Sequence, residues 1–185
     1  VANVRHAYCC DMSATPLSKS YAVGQTTPPV REITIGDLLR EAAAAASDRI
    51  ALIEGTPLAP GENASIRRQW TYGEFLADAE RTARALLARY STGDHIAVWA
   101  HNIPEWELLE FGCALAGMVI VTVNPAFQRH ELNYVLTQSK SKALFVVPSH
   151  RGNPMLATAI ETQPECPNLR DVVSFDDWAD FLASG

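Results

Sequence analysis

The chain has 185 residues, of which 48% are hydrophobic and 19% are charged, a composition that can bury a sizeable core. Its formal net charge of −6, with no Lys/Arg run, argues against a nucleic-acid interface and against an anionic membrane surface. The longest apolar stretch, residues 111–123, is too short to cross a bilayer, and residues 1–30 contain no signal-peptide block. These features predict a cytoplasmic protein, with peripheral membrane attachment as an alternative.

The first third of the chain predicts a tail, a helix and a hairpin. Residues 1–30 are rich in Ser, Thr and Pro and are predicted to be irregular. Residues 34–46, with their alanine run, predict a helix, and residues 49–54 predict a short strand. Residues 55–65 contain two prolines and two glycines and predict a loop that leads to residues 67–70.

A long amphipathic helix follows. Thr71 and Glu74 have the spacing of a capping box, in which each side chain satisfies a backbone N–H at the start of a helix. Behind them, apolar residues recur at steps of three and four, which predicts one buried stripe. The residues of this stripe are Phe75, Leu76, Ala79, Ala83, Leu86 and Leu87.

From residue 95 onward the pattern alternates between apolar strands and helices. Strands are predicted at residues 95–100, 118–123 and 143–147, and helices at residues 105–116 and 128–138. Asn102 is predicted to cap the first of these helices. Strands this apolar, separated by helices, imply parallel pairing with both faces of the sheet covered. The predicted fold class is therefore α/β, with a parallel-sheet βαβαβ core and flanking helices.

The last part of the chain gives weaker patterns. Residues 155–161 predict a short helix, Asp171–Ser174 a strand, and residues 176–183 a further helix. The chain is thus divided into the irregular tail at residues 1–30 and an α/β domain at residues 31–185.

Motifs for phosphate binding and nucleophilic catalysis are absent from the sequence. There is no G-x-G-x-x-G, no G-x-S-x-G and no H-E-x-x-H. Gly112 and Gly117 have the spacing of a P-loop, but Met118 and Val119 stand where a Lys and a Ser or Thr are needed. The glycine-loop hypotheses are therefore rejected.

Individual polar residues suggest sites without establishing one. His101 follows a predicted strand, where open α/β sheets commonly bind ligands, but we interpret it as part of the Asn102 turn. His130 and Arg129 are interpreted as solvated residues beside a helix start, and Glu131 as a carboxylate near the positive end of that helix. The acidic pairs Glu105/Glu107 and Asp176-Asp177 are likewise interpreted as carboxylates near the positive ends of helices.

The remaining candidates are interpreted as structural. Three tryptophans are predicted to pack in the core: Trp70, Trp99 and Trp106. The four cysteines are predicted to be reduced thiols: Cys9, Cys10, Cys113 and Cys166. We therefore assign no catalytic, cofactor-binding or metal-binding residue from the sequence.

The order of several short motifs is more informative than any one of them. They are Trp70-Thr71-Tyr72, Gly93-Asp94, Asn102 with Pro104-Glu105-Trp106, Ala116-Gly117, Val123-Asn124-Pro125, and Glu131-Leu132 through to Leu136. In this order they resemble the N-terminal part of the adenylate-forming ligases, and among these most the fatty-acyl-CoA synthetases. The resemblance covers about residues 33–175.

The resemblance implies an acid–thiol ligase of fatty acid metabolism. Such enzymes join a fatty acid to ATP with magnesium, releasing pyrophosphate, and pass the acyl group from the acyl-adenylate to coenzyme A. Their fold has a large N-terminal domain of stacked α/β layers and a small mobile C-terminal domain. Residues 31–185 are then expected to be an incomplete N-terminal domain of that fold.

The family's phosphate loop ending in Pro-Lys-Gly is absent from these 185 residues. So are the later stretches that the resemblance assigns to adenine, magnesium and ribose, and the lysine of the small domain. No catalytic residue can be carried over, and the chain alone is expected to bind none of ATP, magnesium and coenzyme A and to be inactive.

Three alternatives remain open from the sequence. One is a non-catalytic α/β module for binding or oligomerisation, which would make a homo-oligomer. Another is the N-terminal part of a fatty-acyl-AMP ligase that passes its acyl group to a carrier protein. The third, a free-standing Rossmann-type nucleotide binder, is disfavoured because the glycine fingerprint is missing.

Overall fold

The computed structural model of the chain describes residue 24 and residues 27–55 and 67–185. It divides the chain into two units, Val1–Glu32 and Ile33–Gly185. Most of the predicted tail and nearly all of the predicted loop at residues 55–65 lie outside the described residues.

In its described residues, the second unit contains two sheets. The strands in chain order are β1 (Ile50–Ile53), β2 (Gln69–Thr71), β3 (His95–Trp99), β4 (Val119–Val123), β5 (Ala143–Val146) and β6 (Asp171–Ser174). β1 and β2 form an antiparallel pair, while the other four form a parallel sheet in the order β4-β3-β5-β6. The predicted parallel βαβαβ core is confirmed, and β6 extends it by one strand.

Six α-helices accompany the strands in the described part of this unit. They are α1 (Ile35–Ala46), α2 (Tyr72–Leu87), α3 (Pro104–Ala116), α4 (Arg129–Ser139), α5 (Met155–Thr162) and α6 (Trp178–Leu182). Contacts link α2 with α1, α3 and α6, and separately link α4 with α5. None of the described helices combines the length and apolar character needed to span a bilayer.

The two inner strands of the parallel sheet are covered on both faces. All four residues of β5 are buried, as are Ile96 to Trp99 of β3. Because successive side chains of a strand point to opposite faces, burial of every residue requires packing on both sides. The prediction of a sheet covered on both faces is confirmed for β3 and β5.

That prediction is wrong for β4. Val119 and Thr122 of this strand are exposed, and in the described residues β4 pairs with β3 alone. Its outer position leaves part of its surface outside the core although all five residues are β-branched. The apolar run therefore predicted the presence of strand β4 correctly, but the prediction that both of its faces are buried was incorrect.

The capping box at the start of α2 is present as predicted. The Thr71 N–H donates to Glu74 Oε2 at 2.8 Å, and the Glu74 N–H donates to Thr71 Oγ1 at 3.2 Å. The backbone hydrogen bond from Thr71 lowers the pKa of the Glu74 carboxyl, since it stabilises the carboxylate. β2 thus passes directly into α2 without an intervening loop.

The buried stripe of α2 differs from the predicted one. Leu87 is half exposed, whereas Thr82 and Ala85 are fully buried. Thr82 can be buried because its hydroxyl donates to the carbonyl of Asp78 at 2.9 Å. The stripe is displaced toward α3 because α2 packs against that helix as well as against α1 and the β1–β2 pair.

The starts of α3 and α6 also differ from the predictions. Ile103, and not Asn102, is the cap residue of α3, and Pro104 is its first helical residue. A proline is suited to this position because its missing N–H would have no partner in the first turn. The predicted helix at residues 176–183 is divided into a 3-10 turn, Phe175–Asp177, and the short α6.

Gly112 allows α2 and α3 to approach closely. A Cβ atom placed on Gly112 would lie 2.5 Å from Cγ2 and 2.8 Å from Cβ of Thr82. We expect Gly112→Ala to lower the free energy of unfolding by about 1–3 kcal/mol, the usual cost of overpacking. In an exposed helix the same change would stabilise by about 1 kcal/mol.

The measurement is urea denaturation followed by circular dichroism. The double variant Gly112→Ala with Thr82→Ser is the control, because it removes the crowded methyl group and retains the hydroxyl. We expect the double variant to recover part of the lost stability. A Gly112→Ala protein more stable than the parent would contradict this account of the glycine.

Candidate functional site

The carboxyl ends of the four parallel strands meet at one edge of the sheet, where open α/β folds bind ligands. Polar residues follow each strand at this edge. They are His101 and Asn102 after β3, Asn124 after β4, Ser149, His150 and Arg151 after β5, and Asp176 after β6. We take this carboxyl edge as the candidate functional site.

Among the described residues, four clefts open at this edge. Three have volumes of about 370 to 400 Å³, and a fourth, of about 450 Å³, has Asn102, Trp106 and Asn124 in its lining. The hairpin cleft lies between residues 52–55, at the end of β1, and residues 101–104 and 107. The central cleft is lined by His101, Ile103, Glu105, Val147, Pro148, Ser149, Phe175 and Asp176. The turn cleft is lined by Asn124, Pro125, Ala126, Gln128, His150, Arg151 and Asn153.

His101 stacks on His150. The ring centroids are 4.6 Å apart and the planes differ by 15°. Nδ1 of His101 is buried and has no hydrogen-bond partner among the described residues. Burial, and secondarily the charge of His150, lower the pKa of His101. Our interpretation of His101 as part of the Asn102 turn therefore omitted its main contact.

The stacked geometry does not suit a metal ion. The lone pairs of ring nitrogens lie in the ring planes, so two nearly parallel stacked rings do not direct them at a common point. In the part of the chain that the structure describes, no group of three His, Cys, Asp or Glu side chains could hold a metal ion.

The turn between β5 and α5 is tightly closed. The backbone N–H groups of His150 and Asn153 each donate to the other residue's carbonyl, at 3.1 and 2.9 Å. Between them, Arg151 and Gly152 have φ values of 49° and 81°, in the left-handed region. The Asn153 side chain donates to the carbonyl of Phe127 at 3.2 Å, which ties the turn to the segment before α4.

Arg68 joins the β1–β2 pair to the start of α3. Its guanidinium donates to Glu54 at 2.9 Å and also to Glu105. These hydrogen bonds, to Glu54 first and then Glu105, raise the pKa of Arg68. Glu105 is therefore held in an ion pair.

Burial, followed by the charge of Glu110, raises the pKa of Glu107, which lines the hairpin cleft.

The candidates on α4 have structural contacts. The Glu131 carboxylate accepts a hydrogen bond from the Gln128 N–H at 2.7 Å and so completes a capping box. Arg129 is half exposed and pairs with Glu165 at 2.6 Å. His130 is exposed, as the sequence predicted. Glu131, Arg129 and His130 do not line any of the clefts described above, whereas Gln128 lines the turn cleft.

The tryptophans have structural contacts as well. Trp99 is fully buried, and its indole N–H donates to the carbonyl of Asn124 at 2.9 Å. The indole N–H of Trp70 donates to Asp78 at 2.9 Å. Trp106 is half buried and packs against the main core.

Cys113 and Cys166 are free and buried. Burial raises the pKa of Cys113 to about 12, so its thiolate is not populated near neutral pH. Cys9 and Cys10 lie outside the described residues.

Sequence reasoning missed the turn that carries His150 and Arg151. The signal was present, because Ser149 to Pro154 is a polar run with Gly, Asn and Pro directly after a buried strand. Such a run at the carboxyl end of a parallel strand predicts a loop at the ligand-binding edge.

Comparison with protein families gives one match over most of the chain, the family described as AMP-binding enzyme, at residues 39–184. The putative acyl-CoA synthetase YngI of Bacillus subtilis (strain 168) is 41% identical over 120 residues, which are 64% of this chain and 20% of the relative. The mitochondrial medium-chain acyl-CoA ligase ACSF2 of Danio rerio is 32% identical over 133 residues, 71% of this chain and 20% of the relative. The chain thus spans about a fifth of the length of these relatives.

Solved structures share the fold. A fatty acyl CoA synthetase of Mycobacterium tuberculosis superposes with a TM-score of 0.67 at 25% identity. The similarity covers 82% of this chain and 28% of that protein.

Proposed function

The chain belongs to the family of AMP-binding enzymes, and from this premise we propose that residues 31–185 form the first part of the N-terminal α/β domain of a fatty-acid–CoA ligase. The observation that carries the proposal is the family match over residues 39–184. Relatives named as an acyl-CoA synthetase and an acyl-CoA ligase support it.

The proposed reaction has two steps. The carboxylate of a fatty acid attacks the α-phosphorus of ATP, which forms the acyl-adenylate and releases pyrophosphate in the presence of magnesium. The thiol of coenzyme A then attacks the acyl carbon and displaces AMP. Because one relative is named a medium-chain ligase, medium-chain fatty acids are the first substrates to test, and a carrier-protein thiol is the alternative acceptor.

The clefts at the carboxyl edge do not by themselves fit a magnesium–ATP complex. Their described linings include the carboxylates of Glu54, Glu105, Glu107 and Asp176. Arg151 is the one Lys or Arg residue among those linings. A triphosphate needs several N–H donors and cations, so we place no chemical step on these residues and propose that they form a scaffold.

The first test concerns the 185-residue chain alone. We expect no fatty-acid-dependent exchange between pyrophosphate and ATP in the presence of magnesium, because the phosphate loop of the family is absent from the sequence. A catalytically active acyl-CoA ligase serves as the positive control. Robust acid-dependent exchange by this chain would contradict the proposed inactivity.

The second test asks whether these residues can serve as part of such a ligase. The matching 133-residue segment of the Danio rerio ligase is replaced by the corresponding residues of this chain. We expect the chimera to form medium-chain acyl-CoA, because cores of conserved pattern and volume tolerate extensive substitution. The same chimera with Leu136→Asp is the inactive control.

A folded chimera without activity would contradict the ligase proposal and favour the non-catalytic module.

The proposal also includes a cytoplasmic location, which cell fractionation tests. Light scattering of the purified chain distinguishes a homo-oligomer from a monomer.

A further inference from the structure

The His101–His150 stack joins two segments that are distant in sequence. His101 follows β3, whereas His150 lies in the turn between β5 and α5. The turn has its own closure, through the two backbone bonds between His150 and Asn153. It is also tied on one side to the carbonyl of Phe127. On the other side, the imidazole stack adds to the backbone hydrogen bond from the Val147 N–H to the carbonyl of Trp99, which joins the segment before the turn to the end of β3.

The stack favours neutral rings. Two imidazolium rings 4.6 Å apart would repel each other, and a protonated His101 would carry a buried N–H at Nδ1 with no acceptor in the described structure. Burial and His150 both lower the pKa of His101, in agreement with this geometry.

The charged groups around the stack do not supply a dedicated partner. Glu54 and Glu105, at the hairpin and at the start of α3, are both paired with Arg68. Glu107 of α3 and Asp176 after β6 line clefts shared with His101, and Arg151 adjoins His150. Among these groups, His150 is the one whose charge shifts the pKa of His101.

We propose that His101 and His150 form a proton-sensitive latch that holds the β5–α5 turn against the end of β3 and opens when a ring is protonated. Opening would widen the central and turn clefts, which share this segment. The latch concerns residues of this chain alone and does not depend on the proposed ligase activity.

The direction of the pH effect follows from linkage. A histidine whose folded-state pKa is below its unfolded value binds fewer protons in the closed form. The latch is therefore fully closed above the unfolded pKa, about 6.5, and weakens as the pH falls below it. We expect the turn to be less protected at pH 5.5 than at pH 7.5.

The experiment uses the 185-residue chain with isotope-labelled histidine. NMR titration follows each imidazole, and hydrogen exchange follows the amides of His150 and Asn153, corrected for the intrinsic effect of pH. We expect the pKa of His101 to lie below the ordinary value for a histidine, about 6.5. The protection of the two amides should fall severalfold between pH 7.5 and 5.5, while circular dichroism shows that the fold persists.

Variants separate the stack from its titration. His101→Phe and His150→Phe each retain an aromatic ring and should keep the two amides protected at both pH values. His130→Phe, the matched control on α4, should leave the pH dependence unchanged. The proposal is overturned if the pKa of His101 is not below about 6.5, or if the pH dependence survives in both stack variants.

Discussion

Leu136→Asp is expected to abolish the cooperative unfolding transition of the Ile33–Gly185 unit. Leu136 is 1% exposed on α4 and belongs to the main core under the parallel sheet. Loss of a buried leucine side chain alone costs roughly 2–5 kcal/mol, and an unpaired carboxylate in that position costs more. The sum is comparable with the whole stability of a typical domain, about 5–15 kcal/mol.

The measurement is a thermal melt followed by circular dichroism in the far and near ultraviolet. His130→Ala is the control, because His130 lies on the same helix and is exposed. Its effect is expected to stay within about 0.5 kcal/mol, as for most surface substitutions. Equal losses of stability in the two variants would show that α4 is oriented differently from the structure described.

Phe145→Ala is expected to lower the free energy of unfolding by about 3–5 kcal/mol. Phe145 is fully buried in β5 and stands at the centre of an aromatic cluster. Its ring centroid is 6.1 Å from that of Phe175, 6.2 Å from that of Trp178 and 4.9 Å from that of Phe181. Truncation therefore leaves a cavity between β5 and the segment that contains α6.

Urea denaturation of Phe145→Ala is compared with that of Tyr134→Ala, whose ring is 61% exposed. A double-mutant cycle with Phe181→Ala isolates the edge-to-face contact between the two phenylalanine rings, which meet at 80°. We expect a coupling of about 0.5–1.5 kcal/mol. A loss below about 1 kcal/mol for Phe145→Ala would be smaller than the usual cost of truncating a buried phenylalanine. Such a result would contradict the packing of Phe145 in this cluster.

Most elements of the fold could be predicted because their signals are local. The apolar runs of β3 and β5, the capping box of Thr71 and Glu74, and the three- and four-residue steps of α2 each depend on neighbours in sequence. Asp171–Ser174 was predicted with the limits observed. The order of strands could not be predicted, since periodicity does not tell whether β5 pairs with β3 or with β4.

The errors have a common physical cause. Exposure of Val119 and Leu87, and burial of Thr82, depend on which element covers each position. The hydrophobicity of a side chain indicates that the side chain can be buried. It does not indicate whether another element of the fold covers that position.

The candidate site was less predictable than the fold. The position of His101 after a strand indicated the ligand-binding edge. Its stacking partner His150 belongs to a different crossover connection, and their proximity arises only when β3 and β5 pair. Arg68 could not be recognised from the sequence either, because its partners Glu54 and Glu105 are distant from it in sequence and meet it only in the folded chain.

The strand order β4-β3-β5-β6 has a consequence for how the chain can assemble during translation. β3 is made first, β4 joins one side of it, β5 joins the other side, and β6 joins the free side of β5. No strand has to be inserted between two that have already paired. Because domains are synthesised from the N-terminus at about 5–20 residues per second, this sheet can grow as the ribosome releases it, with each new strand adding to an edge that is already in place.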